Sequence, residues 1–265
     1  MKKLFVMITI MVIATVLSSG CSVSAIDLNP PATRDYRQDM REFVQGISAY
    51  AKGFNPKFII IPQNGHELLT KNGEETGMPA LRYVKAIEGI GREGLFYGYK
   101  RDNVATPKSE QNYMIAFMDI AKNNGIRVLV TDYCSTRSFV GNSYSQNAAR
   151  GYVSFAANHR ELDNIPKYPA DPYSINELDV TSLTEAKNFL YLINPGSFPD
   201  KDAFLNAMGK TDYDVVIIDL FYNRTALTAS EVASLRTKVN GGSRLVIAYR
   251  SIGDAEDYRY YWQAE

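Results

Sequence analysis

Seven short apolar runs, joined by stretches with helical patterning, constrain the fold more than any other feature of the chain. They are Phe58-Ile59-Ile60-Ile61, Gly94-Leu95-Phe96-Tyr97, Val128-Leu129-Val130-Thr131, Tyr152 to Ala157, Phe189 to Ile193, Val215 to Ile218 and Leu245 to Ala248. Each is continuous rather than alternating, the pattern of strands covered on both faces in a parallel sheet. Helices are expected between them. Met40 to Ala51 sets Met40, Phe43, Val44, Ile47 and Tyr50 near helical spacing, and Tyr83 to Ile90 reads as helix or approach. Tyr113 to Asn123 is closed by Asn124-Gly125, and Thr228 to Val239 opens on a Thr228/Glu231 capping pair and stops at Gly241-Gly242. An open doubly wound sheet and a barrel both satisfy this alternation. A nucleotide-binding sheet would carry a Gly-rich phosphate loop after its first strand, and no run here is followed by one. The expectation is therefore a (β/α)8 TIM barrel, with one strand short of the full ring.

Composition narrows the chemistry. Lys+Arg and Asp+Glu are equal at 29 each, so the chain has no global basic field for nucleic acid. With two His and two Cys, no metal-ligand spacing and no disulfide are expected, and no cofactor motif is present. The 18 Tyr suit a sugar-binding cleft, although large cores use tyrosine as well. At the N-terminus, Lys2-Lys3, an apolar stretch from Leu4 to Leu17 and Ser18-Ser19-Gly20-Cys21 describe an export signal, too short for a good membrane span. Cys21 in that setting resembles the lipidated first residue of a lipoprotein; a plain secretory signal is the alternative. The expected organisation is a signal peptide over 1–20, a polar tether with Pro30-Pro31 over 21–35, and a barrel-like domain over 36–265. The expected location is exported, as a cell-surface lipoprotein or a secreted protein, with membrane contact only through the lipid.

Polar residues recur beside the apolar runs, where a barrel gathers catalytic groups. Gln63 and Asn64 follow Ile61, Asp132 and Tyr133 follow Thr131, Arg160 follows the Tyr152 run, and Asp219 follows Ile218. Asp254, Glu256 and Asp257 follow the Leu245 run, and Glu93 precedes Gly94. Carboxylates and tyrosines without Cys/His pairs suit glycoside chemistry, in which one carboxyl protonates the leaving oxygen and a second attacks or activates water. Plainer readings stand beside these. Asp219 also fits a helix cap or an Arg partner, Asp132 a structural partner of Arg137, Glu93 a surface pair with Arg92, and Asp254 and Asp257 turn caps.

Four segments carry a resemblance: "SIGDAEDYRYYW" (Ser251 to Trp262), "FIIIPQNG" (Phe58 to Gly65), "REGLFYGY" (Arg92 to Tyr99) and "YDVVIID" (Tyr213 to Asp219). They resemble glycoside hydrolase family 114, in its bacterial and archaeal branch of extracellular endo-α-1,4-polygalactosaminidase-like proteins, from about Asp35 to Glu265. The resemblance implies a TIM barrel that cleaves α-1,4-linked galactosamine polysaccharide. It implies Glu93 as one catalytic carboxyl and Glu256 and Asp219 as cleft-lining acids. Gln63, Asn64, Asp132, Tyr133, Asp254, Tyr258 and Arg259 match further positions that bind or shape. Relative to that family the two halves of the barrel come in permuted order. The segment expected after Trp262, with the other catalytic aspartate, has no counterpart. The resemblance thus implies an exported glycoside hydrolase weak or inactive in this form, with a non-catalytic glycan-binding lipoprotein or a truncated inactive fragment as alternatives.

Overall fold

The structure is a computed structural model that describes residues 34–252. The expected signal peptide, nearly all of the expected tether including Cys21, and the segment with Asp254, Glu256, Tyr258 and Arg259 lie outside the described residues. One compact unit, Tyr36–Arg250, contains every element discussed below.

In chain order the elements are α1 (Tyr36–Phe54), α2 (Leu81–Val84), β1 (Gly89–Glu93), α3 (Lys108–Asn123), β2 (Arg127–Tyr133), α4 (Arg137–Arg150) and β3 (Val153–Ala157). They continue with β4 (Phe189–Leu192), α5 (Lys201–Gly209), β5 (Val215–Asp219), β6 (Phe221–Tyr222), β7 (Thr225–Ala226), α6 (Ala229–Ser234) and β8 (Leu245–Tyr249). Strands β1, β2 and β3 form one parallel sheet in that order, and β4, β5 and β8 form a second. β6 and β7 make a small antiparallel ribbon.

The barrel expectation is overturned. Barrel closure requires a hydrogen-bond ladder between every pair of neighbouring strands. Here the described sheets have two or three strands each, and none closes. β3 and β4 are neighbours through side chains, with the rings of Phe155 and Phe189 5.8 Å apart, and no ladder joins them. What holds the sheets together is packing. Leu129 and Tyr133 of β2 and Val153, Phe155 and Ala157 of β3 share one buried cluster with β4 and β5. The alternate residues Val128 and Val130 turn the other way, into a cluster with Met114, Phe117 and Met118 of α3 and Val44 of α1. This two-residue alternation puts opposite faces of one strand into different cores.

Two expected strands change character. The run Gly94 to Tyr97 is a turn; the strand is Gly89-Ile90-Gly91-Arg92-Glu93, which begins inside the stretch expected as helix or approach. Two glycines and two charges hide it. A Cβ at Gly91 would sit 1.8 Å from Oε1 of Gln63, so the glycine leaves room for that side chain. The Phe58–Ile61 run is extended beside β1 but joins it by a single parallel bridge, Gln63 to Gly91. Pro62 has no amide hydrogen to give, while its carbonyl accepts from Gly91 N at 2.9 Å, and Asn64 N donates back to Gly91 O at 2.8 Å.

The expected helix Thr228 to Val239 stops early, at Ser234. Its capping box forms as read: Glu231 N donates to Thr228 Oγ1 at 3.2 Å, and Thr228 N to Glu231 Oε2 at 2.6 Å. Lys238 is what the helix gives up. Its fully buried ammonium lies 3.0 Å from Asp214 Oδ1, donates to Leu178 O at 2.8 Å and reaches Asn176 O as well. A buried ammonium must fill its donors, and these partners lie off the helical path.

Candidate functional site

Glu93 ends β1, half-buried, and both of its oxygens are held. The Tyr133 hydroxyl donates to Oε1, and Asn64 Nδ2 donates to Oε2 at 2.7 Å. Asn64 Oδ1 in turn accepts from Glu93 N at 3.3 Å. Asn64 can turn its amide onto the strand end because its backbone is left-handed, φ 59°, a conformation asparagine tolerates better than most residues. Tyr133 is brought alongside by the β1–β2 ladder, which pairs Glu93 with Thr131 and leaves Tyr133 two residues further on, on the same face. Burial and the Glu93 charge both push the Tyr133 hydroxyl far above its ordinary range, so it remains a donor.

These side chains open on a cleft of about 530 Å³ lined by Asn64, Arg92, Glu93, Tyr99, Tyr133, Arg160 and the backbone of Gly94 and Gly98. Gly98 passes so close to β2 that a Cβ there would fall 2.6 Å from Cβ of Tyr133, and its φ of +96° suits glycine. Arg160 lies over the Tyr133 ring, 5.1 Å from its centroid. It is anchored by Asp102, whose Oδ1 accepts from Nε at 2.8 Å, and by Gly98 O, which accepts from Nη2 at 2.8 Å.

Behind the cleft, Arg92 Nη1 donates to His66 Nδ1 across 3.2 Å. A guanidinium only donates, so His66 carries its proton on Nε2, which lies 3.7 Å from Glu67 Oε1. Burial, with Arg92 adding to it against the opposing pull of Glu67, depresses the His66 pKa to about 4. His66 is neutral at physiological pH.

Asp132 belongs elsewhere. It is fully buried, and its Oδ1 accepts from Phe96 N at 2.8 Å and Tyr97 N at 3.1 Å, while Oδ2 accepts from Ser143 Oγ at 2.6 Å. Burial raises its pKa and these bonds oppose the rise. Its role is to fix the turn behind Glu93, and it does not line the cleft. Nor does it pair with Arg137, whose guanidinium stacks on Tyr168, 4.8 Å from the ring centroid.

Among the sequence-expected residues, Glu93, Asn64 and Tyr133 therefore meet directly. Gln63 lies behind them against Gly91, with Nε2 buried and unpartnered among the described residues. Asp219 ends β5, nearly buried, and accepts from Phe221 N at 3.0 Å; it is not part of the cleft lining. Arg92, expected only as a surface partner of Glu93, and Tyr99 also line the cleft. Tyr191 of β4 is a further residue of this neighbourhood. Burial, the Glu93 charge and then Tyr249 push its hydroxyl well above the ordinary tyrosine range. The Tyr191 and Tyr249 rings lie 6.2 Å apart. Inside an apolar run, Tyr191 gave no signal of its own. Among the described residues, no group of three or more His, Cys, Asp or Glu is placed to hold a metal ion.

No family model matches the chain. It is 31% identical over 140 residues to an uncharacterized protein of Methanocaldococcus jannaschii, covering 48% of this chain and 37% of that one. It is 26% identical over 129 residues to an uncharacterized protein of Deinococcus radiodurans, covering 49% of this chain and 38% of that one. The chain thus spans little more than a third of the length of these curated relatives.

Proposed function

We propose that the Glu93 cleft is the saccharide site of an exported glycoside hydrolase acting on α-1,4-linked galactosamine-type polysaccharide. One observation supports this most. A strand-end carboxylate has both oxygens fixed by neutral donors, Tyr133 and Asn64, and faces an open cleft walled by tyrosine rings and hydrogen-bonding groups. Tyr99, exposed at the cleft, offers a flat apolar face for a sugar ring, and Asn64 and Arg160 offer donors for hydroxyls. Fixed in this way, Glu93 is placed to attack an anomeric carbon or to take a proton from water.

Two-carboxylate hydrolysis needs a partner acid across the scissile bond. Glu93 is the one carboxylate among the described lining residues, and that favours a second reading, a glycan-binding lipoprotein without turnover. Both readings are tested together, by incubating the chain with α-1,4-galactosamine polymer and following reducing ends and calorimetric binding. Release that drops by about 10²-fold or more in Glu93→Gln supports hydrolysis. Binding without release, retained in Glu93→Gln, supports the second reading. Neither binding nor release sinks both.

A further inference from the structure

α1 carries its amphipathicity the wrong way round for a helix that serves only the core. Toward the protein it buries Arg41, Val44 and Ser48. Arg41 Nε donates to Leu68 O at 2.9 Å, and Ser48 Oγ donates to Ala86 O at 2.6 Å. On the opposite side Phe43, Ile47, Tyr50 and Phe54 are exposed, from 36% at Ile47 to 78% at Phe54. At about 100° per residue these four fall within an arc of about 60°, centred roughly 120° from the buried three. This is a stripe, not scatter. The Tyr50 and Phe54 rings meet edge-on at 5.0 Å, and Phe58, just beyond the helix, is also exposed. Between Phe43 and Phe58 the chain has no acidic residue. Lys57 stands beside Phe58, whereas Lys52 turns to the protein, paired with Glu88 and donating to Ala86 O at 3.0 Å. α2, which packs against α1, exposes Arg82, and Lys85 just after it is exposed as well.

The chain before the helix argues for what covers the stripe. Ser22 to Asp35, 14 residues, separate Cys21 from the start of α1. At no more than about 3.6 Å per residue they reach about 50 Å, so a lipidated Cys21 holds α1 near a bilayer at all times. Exposed tyrosine and phenylalanine rings, with Lys57 next to Phe58 and no acid between Phe43 and Phe58, match the chemistry of the membrane–water interface, where rings sit at head-group level and cations meet anionic lipid. No helix among the described residues is long and apolar enough to cross a membrane, so such contact lies in the plane of the surface. We propose that the α1 stripe docks on the lipid surface as a second, non-covalent contact beside the Cys21 anchor. This rests on the lipidation reading of the N-terminus and is independent of the glycoside reading.

The test uses the full chain, expressed with its lipid and reconstituted in phosphatidylcholine/phosphatidylglycerol vesicles. A nitroxide is placed through Tyr50→Cys and, as control, through Asp202→Cys on α5; Cys134 is buried and takes no label. The label at position 50 is expected to be severalfold more accessible to oxygen than to a polar nickel quencher, and that at 202 to stay water-like. A water-like label at 50 on vesicle-bound protein overturns the proposal. If the chain carries no lipid, the anchor reading fails while the stripe is still tested by flotation. The Phe43→Ser/Tyr50→Ser/Phe54→Ser variant is then expected to float about tenfold less than wild type, and equal flotation overturns the proposal. A concentration-dependent dimer abolished by the same triple substitution would assign the stripe to a second copy and overturn it as well.

Discussion

The two three-stranded sheets place their buried polar groups at opposite ends. In β1-β2-β3 these groups gather at the carboxyl ends, where Asp132 near the end of β2 holds the turn after β1 and Tyr133 and Asn64 hold Glu93. In β4-β5-β8 all but Asp219, at the carboxyl end of β5, gather beneath the amino ends. Asp214, just before β5, accepts from Lys238, Lys187 N and Asn176, and Asn188, just before β4, accepts from Asp214 N at 2.8 Å. Similar chemistry builds a cleft on one sheet and fastens connecting loops under the other. A buried charge is therefore a poor marker of function taken alone; its end of the strand and its access to a cavity decide.

Breaking the lower network should have the largest effect. Lys238→Ala strands Asp214 in the interior, and a loss of about 3–5 kcal/mol is expected in urea unfolding, with Glu93-cleft binding in the surviving folded fraction unchanged. A smaller loss than about 1 kcal/mol would mean that the network under the second sheet is ornamental. Acid tests the other end. His66 takes up a proton at pH 6.5 when unfolded but only at about 4 when folded, so between those values the unfolded chain binds more protons. Stability is then full above pH 6.5 and falls as pH drops toward 4, by up to about 3 kcal/mol. In His66→Gln, unfolding midpoints across that window should flatten. Asp132→Ala removes the acceptor for Phe96 N, Tyr97 N and Ser143, and a loss of about 2–3 kcal/mol is expected together with weaker ligand binding as the turn behind Glu93 loosens. Unchanged binding in that variant would detach the turn from the site. Thr228→Ala, far from both networks, should cost only about 1 kcal/mol through the lost cap.

The strands that were legible in the sequence are those whose residues all face apolar neighbours. Val215 to Ile218 and Val128 to Val130 are continuous hydrophobic runs, buried on both faces. β1 escapes because two glycines and two charges stand where a strand usually shows branched side chains. α4 escaped because its helix buries Ser143 and Asn147, which serve Asp132 and each other rather than an apolar stripe. The ring is expected from the lack of a Gly-rich phosphate loop and from the family resemblance, and neither carries information on which strands pair in this chain. For the site, Glu93, Asn64 and Tyr133 were readable as polar residues flanking apolar runs. That rule cannot separate Asp132, which sits on the strand itself and spends its oxygens on amides. Arg160 was noted for its position, but its seat over Tyr133 depends on Asp102, a loop residue far away in sequence.

The contact between β3 and β4 has a mechanical consequence. Two ladders meet there through side chains such as Phe155 and Phe189, so sliding one slab past the other ruptures no ladder hydrogen bond and is opposed by the shared apolar cluster and by loop bonds such as Ile193 N to Leu162 O. Glu93 and Tyr191, whose hydroxyl feels the Glu93 charge, stand on different slabs. Shear along this joint would retune the width between them while leaving each slab internally intact.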